Sequence, residues 1–241
     1  MPNLEFVDAH CHLNLFAEPH KTISESRSKG VGVIVTAGGS GKDNIETLKL
    51  LEHERVFAVV GIGPDFAAKD SGLVGEIEAL VKMSRKIVGI GEIGVDTKVA
   101  ADNDLGLQKE IFRKQVQIAK ELDLPIVIHS RGALDEVIKI IESEHMKRAM
   151  FHFFEGDEKQ ASELAKKGYL ISIPPAWTGK RKRIIKEVGL NSLVAETDSP
   201  IVGKTPADVV GVCEAIAKLK GVSLEEVATE TTENIRRLFY I

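Results

Sequence analysis

At 241 residues, 43% hydrophobic and 28% charged, the chain has enough apolar material for a sizeable core, which excludes a disordered or low-complexity polypeptide. Its formal net charge of −4 excludes a protein that coats nucleic acid by bulk charge, so any recognition of phosphate has to be local. The two cysteines, Cys11 and Cys213, are too few and too far apart for a disulfide framework, a zinc knuckle or a redox pair.

Short apolar runs alternate with polar, helix-periodic segments from one end of the chain to the other. The runs Phe6–His12 and Val31–Ala37 come first, followed by a helical pattern over Asp43–Glu54 and the run Val56–Gly63. A helix is expected over Ser71–Ser84, then a strand over Ile87–Ile93, then the clearest helix of the chain over Asp104–Leu122. In that helix Leu107, Ile111, Val116, Ile118, Ala119 and Leu122 mark an apolar stripe. The alternation continues through Pro125–His129, Ala133–His145, Ala149–Phe153, Asp157–Lys167, Tyr169–Ile173, Lys180–Val188 and Leu193–Asp198. Several runs, such as VGVIVTA and PIVIHS, are almost wholly aliphatic, as strands covered on both faces of a parallel sheet are. Eight βα units in this length predict one closed (β/α)8 TIM barrel over residues 1–241. A doubly wound sheet would carry a glycine-rich fingerprint after its first strand; here that strand ends in histidines. The opening Met-Pro-Asn-Leu-Glu reads as no secretory leader, and no uncharged stretch approaches the roughly 20 residues of a membrane span. A cytoplasmic protein, with no membrane association and no obligate protein partner, is expected.

Barrel enzymes work from the C-terminal ends of their strands, so the run ends carry the chemistry. The first ends in Asp8-Ala9-His10-Cys11-His12. Strict alternation puts His10 and His12 on one face, with Ala9 and Cys11 on the other. The fourth run closes with Glu92 and Asp96, the fifth with His129-Ser130-Arg131, the sixth with His152, and the eighth with Glu196-Thr197-Asp198. Four of the seven histidines thus fall at strand ends, while His20, His53 and His145 lie in helical or loop segments. Burying so many polar groups together is costly unless they hold something. His10, His12, Glu92, His129, His152 and Asp198 exceed what one tetrahedral ion needs. They suit two divalent ions about 3.5–4 Å apart sharing a hydroxide and a carboxylate bridge, for which Glu92 is the natural choice. Mixed imidazole and carboxylate donors admit Zn, Mn, Co or, less comfortably, Mg.

These residues give the chain its resemblance to the TatD family of metal-dependent hydrolases and deoxyribonucleases, within the amidohydrolase-like barrels. DAHCHL resembles the family's DxHxH opening, GEIGVD its GEIGLD, PIVIHSR its PVxIHSR, FHFFEG its HxFSG and AETDSP its LETDxP. The ordered set, with LQKEIFRKQVQIAKEL and the closing TTENIRRLF, covers nearly the whole chain. The resemblance implies a metal-dependent hydrolase barrel that cleaves DNA phosphodiester bonds with a metal-bridging hydroxide. It implies one ion on His10, His12, Glu92 and Asp198, and a second on Glu92, His129 and His152. Asp198 and Glu92 are then the catalytic carboxylates, with Asp198 accepting the proton.

Around this core, Arg131 is a candidate phosphate contact or a structural ion pair. Glu196 is a candidate for orienting a ligand or a loop. Lys180, Arg181 and Arg183, in the basic run after the seventh strand, either hold a phosphate backbone or form a solvated helix face. Trp177 beside them either stacks on a base or packs under the loop. The chain departs from the family at three places: Gly63 replaces the histidine of Gly-x-His-Pro, Val95-Asp96-Thr97-Lys98 lacks the usual aromatic, and Glu155 replaces a serine. Two other readings stay open on sequence alone. One is a hydrolase of a small ester, lactone or amide, and the other a non-enzymatic metal-binding regulator.

Overall fold

Eight strands lie side by side in chain order, each parallel to the next. The structure is a computed structural model and describes residues 4–99 and 104–241. The strands are β1 Phe6–Cys11, β2 Val31–Ala37, β3 Val56–Val60, β4 Ile87–Gly94, β5 Ile126–His129, β6 Ala149–Phe151, β7 Leu170–Ile173 and β8 Leu193–Ala195. The helices between and after them are α1 Pro19–Ser28, α2 Gly41–Lys49, α3 Ala67–Asp70, α4 Ile77–Met83 and α5 Leu105–Glu121. They continue with α6 Leu134–Ser143, α7 Glu158–Lys166, α8 Gly179–Glu187, α9 Val209–Lys220 and α10 Leu224–Phe239. This is the barrel expected from the alternation. Among the described residues, no helix is long and apolar enough to cross a membrane.

The apolar residues sort into two cores. Val7, Val33, Val35, Val59, Val127, Met150 and Val194 fill the barrel, and Ile235, Leu238 and Phe239 of α10 plug its N-terminal end. The outward residues Ile34, Val60, Ile90, Ile126, Ile128, Phe151 and Ile171 pack against Phe112, Val116, Val137, Leu164 and Ile216 of the helix ring. Each such side chain, fully buried, contributes about 1.5–3 kcal/mol.

Several boundaries differ from the periodicity. The segment expected as a helix over Ser71–Ser84 is a 3₁₀ turn over Ser71–Glu76 that leads into α4; Gly72 and Gly75 weaken α-helix there. The α5 stripe is also less apolar than it reads. Leu107, Ile118 and Leu122 are only half-buried, while Gln108 and Gln115 are buried. Gln115 bonds both polar backbone atoms of Ile62, at 2.7 and 2.9 Å. Gln108 accepts from the Asp96 N–H at 2.8 Å. These glutamines fasten the loops after β3 and β4 to the helix, so polar residues carry the packing that the apolar stripe was expected to carry. Strands β3, β6 and β8 also stop early, leaving Gly63, His152 and Asp198 on the rim just beyond them.

No ladder is formed between β8 and β1; the seam is closed beyond the strand ends. Asp198 N–H donates to the His10 carbonyl at 2.9 Å and His12 N–H to the Ser199 carbonyl at 2.8 Å. The buried Asp8 carboxylate accepts from Thr197 N–H at 2.8 Å and from its hydroxyl at 2.6 Å.

Candidate metal centre

Two strands reach the rim with an extra residue. Asp8 pairs with Ile34 and Cys11 with Thr36, so three steps along β1 match two along β2. Ile90 pairs with Ile126 and Ile93 with Ile128, giving β4 the same surplus over β5. Such bulges break alternation and re-aim a side chain. Ala9 consequently packs inside the barrel while Cys11 packs in the outer core. The expectation that both face away from the histidines is corrected for Ala9, although His10 and His12 do meet at one site. At the β4 bulge only glycine fits position 91: a Cβ there would stand 2.7 Å from Val127 Cβ and 3.1 Å from its carbonyl oxygen.

The six expected donors converge. His12 Nε2 lies 3.4 Å from Asp198 Oδ1 and 3.6 Å from Glu92 Oε2. His10 Nε2 lies 3.5 Å from Glu92 Oε2 and 3.8 Å from Asp198 Oδ1. On the other side of the same carboxylate, Glu92 Oε1 is 2.6 Å from His129 Nδ1 and 3.7 Å from His152 Nε2. Two donors bound at about 2.1 Å to one tetrahedral ion stand about 3.4 Å apart, so the separations of 3.4 to 3.8 Å suit cations held between the groups, whereas Glu92 and His129, in direct hydrogen-bond contact at 2.6 Å, would have to part. The hydrogen-bond inventory agrees. Both ring nitrogens of His10 and Asp198 Oδ1 are buried with no hydrogen-bond partner, an arrangement that folded proteins keep only for a reason. Three overlapping sets meet the distance requirement of one ion: His10, His12 and Glu92; His10, His152 and Asp198; Glu92, His129 and His152.

Electrostatics points the same way. Burial alone would raise the Glu92 carboxyl, but His152, His10 and His129 hold it well below the usual range. Burial opposes the charged form of His129 as well, yet hydrogen bonds and charge from Asp96 and Glu92 push it up to about 10. His152 reaches about 9 against its own burial, mainly through Glu196 and Glu92. The carboxylates thus draw positive charge to the cluster, and an ion bound there would displace the protons from both imidazoles.

Two supporting carboxylates fix the imidazoles. Glu196, fully buried, places Oε2 3.2 Å from His152 Nδ1 and accepts from Phe153 N–H through Oε1 at 2.7 Å. Asp96 Oδ2 stands 2.9 Å from His129 Nε2, and its Oδ1 accepts from Lys98 N–H at 2.6 Å. Such partners set the tautomer and orientation of a ligating histidine. Sequence reasoning placed Asp96 at the strand end without a partner; its spacing after Gly94 was the available signal. Asp198 adopts φ +48, a left-handed conformation that Asp and Asn tolerate better than other side chains.

The donors open into a cleft of about 500 Å³. Lys98 and Arg131 line it as cations, Asp43 and Asp65 as acids, and Leu15, Phe66 and Ile201 as an apolar lip. Gly63 also lines it, and a Cβ there would meet nothing closer than 3.5 Å. Glu155 lines an adjoining pocket with Phe153, Ile201 and Val202.

The basic run is not brought to this cleft. Lys180 Nζ donates to the Glu155 carbonyl at 2.7 Å, and Arg183 Nε pairs with Glu158 at 3.0 Å. Arg181 is 5% exposed, which corrects its reading as a surface phosphate contact. Its guanidinium donates to the carbonyls of Ala176 at 3.1 Å and Phe154 at 3.0 Å and lies 4.7 Å over the Phe153 ring. Trp177 is 43% exposed, so it does not pack under the loop. Arg181→Ala is expected to cost about 2 kcal/mol, because the buried Phe154 carbonyl and the half-buried Ala176 carbonyl lose a charged donor. Urea unfolding checks this, and a change below about 0.5 kcal/mol, the range of ordinary surface substitutions, would remove the clamp role.

Comparison with known proteins follows the same lines. A family model described as TatD related DNase matches residues 7–240. An uncharacterized metal-dependent hydrolase of Methanocaldococcus jannaschii is 32% identical, over 99% of this chain and 98% of its own. A human protein named deoxyribonuclease is 29% identical over 97% of this chain and 94% of its own. The crystal structure of a TatD homolog from Escherichia coli superposes with a TM-score of 0.92 at 24% identity, covering 99% of both chains.

Proposed function

The chain belongs to the TatD-related DNase family and is a metal-dependent hydrolase; on that premise we propose that its substrate is DNA and its reaction the hydrolysis of phosphodiester bonds, carried out by the whole of residues 1–241. The observation that carries the reading is the division of Glu92, with Oε2 toward His10 and His12 and Oε1 toward His129 and His152. One carboxylate serving two donor sets suits a pair of divalent ions. His10, His12, Glu92 and Asp198 would hold one, and Glu92, His129 and His152 the other.

Bound there, Zn, Mn, Co or Mg would supply Lewis acidity and lower the pKa of water. The chain's own groups do the rest. Asp198 is the base: its carboxylate lines the cleft, takes the proton of the attacking water and returns it to the leaving oxygen. Glu196 keeps His152 turned toward Glu92, and Asp96 does the same for His129. Arg131 and Lys98 present cations to the phosphate from the cleft wall, and the lip of Leu15, Phe66 and Ile201 gives an adjoining base an apolar surface.

The test is protein reconstituted with each metal in turn, assayed on single-stranded DNA, a chromogenic phosphodiester, a lactone and an amide. Cleavage of DNA that is lost in chelator is expected. Arg131→Ala should reduce the slope of log affinity against log salt by about 0.7, the share of one phosphate contact on a single strand, and leave the small diester almost unaffected. An unchanged slope would return Arg131 to a structural role. A second reading rests on Gly63 and Glu155, which remove a phosphate donor and add negative charge at the cleft. If the lactone or amide is hydrolysed and DNA is not, this reading replaces the first.

A further inference from the structure

The three histidines outside the rim are not all idle. His20 lies in the first turn of α1, Glu52 ends a 3₁₀ turn that follows α2, and His53 comes next. His20 Nδ1 stands 2.7 Å from His53 Nε2 and 3.7 Å from Glu52 Oε1. We infer that His20, Glu52 and His53 form a second, peripheral site for a transition-metal dication of the zinc type, separate from the centre at the rim.

The three donor atoms converge closely enough to share one ion. The His20–Glu52 separation already matches the spacing of about 3.4 Å on a tetrahedral ion, and the two imidazole nitrogens need to part by only about 0.7 Å. His20 and Glu52 have side-chain exposures of 59% and 70%, so the adjustment meets little packing. The backbones beneath are fixed. Pro19 sets the start of α1, and Lys86 Nζ donates to the carbonyls of Leu51 and His53 at 2.7 Å each, pinning the turn that carries two of the donors. Arg27 donates to the Glu54 carbonyl, so both nearby cations are spent on backbone oxygens. Two imidazoles and one carboxylate favour Zn²⁺, Cu²⁺ or Ni²⁺ over Mg²⁺ or Ca²⁺. Three donors leave positions for water, as an adjustable site of moderate affinity requires. An ion there clasps the first turn of α1 to the turn before β3.

The experiment is a Zn²⁺ titration of the full chain stripped with chelator, with bound zinc measured by equilibrium dialysis and elemental analysis. The wild-type protein is expected to take up one equivalent more than the His20→Gln/His53→Gln double variant. Glu52→Gln should retain that equivalent with affinity weakened at least about 10-fold, the lower end of what loss of an outer partner costs. Mn²⁺-supported hydrolysis should be the same in all three proteins, since none of these residues lines the cleft. The imidazole NMR signals of His20 and His53 should shift with the extra equivalent. Equal zinc uptake by wild type and double variant, or unshifted His20 and His53 signals at saturation, overturns the site. Loss of hydrolysis together with the zinc equivalent overturns its separateness.

Discussion

Asp198→Asn lowers turnover by about 10²- to 10⁴-fold, the usual contribution of a positioned proton acceptor, while the barrel stays folded. Asparagine keeps the size of the side chain and tolerates the φ of +48 as well as aspartate does. The backbone bonds from Asp198 N–H to His10 and from Val202 N–H to the Asp198 carbonyl, both 2.9 Å, do not involve the carboxylate. What is lost is charge at Oδ1, the atom that faces His12 and His10 without a hydrogen-bond partner. Single-turnover kinetics on the chromogenic diester, beside a thermal melt, separate chemistry from folding. A variant that turns over at the wild-type rate would return Asp198 to a structural role.

Glu92→Gln produces the second large effect, through binding rather than proton transfer. Each oxygen of Glu92 serves a different pair of histidines, so neutralising it weakens both donor sets together. Removing a direct donor should cost at least the ~10- to 100-fold in metal affinity that loss of an outer partner costs. Elemental analysis after dialysis against limiting metal should find the variant nearly metal-free, with hydrolysis at background. His129 and His152 lose the charge that supports their raised pKa values in the same step. Retention of the full wild-type metal content would show that Glu92 is not shared, and the two-ion reading would fall with it.

Much of this was legible in the sequence for physical reasons. Parallel strands buried on both faces leave continuous aliphatic runs, so the eight-fold βα rhythm and the rim could be read directly from such segments as VGVIVTA and PIVIHS. Histidines and acids at run ends then marked the six side chains that converge at the rim. The illegible parts depend on geometry that no residue type encodes alone. The bulges in β1 and β4 are register events, visible only when a strand is laid against its neighbour, which is why Ala9 was placed on the wrong face. Gln108 and Gln115 look like solvated helix positions until the loops they bond are in place. Arg181 sits in a basic run typical of an exposed helix start. Its burial depends on Phe153 and on two carbonyls contributed by other segments.

The seam between β8 and β1 has a consequence for the order in which the chain is made. Thr197, which grips Asp8 from 189 residues away, and Asp198 beside it are synthesised long after His10 and His12. A nascent or truncated polypeptide that stops before β8 has five of the six donors and none of the bonds that close the ring. Such a chain lacks both the Asp198 carboxylate and the bonds that join β8 to β1, so the hydrolase is expected to stay inactive until β8 is in place.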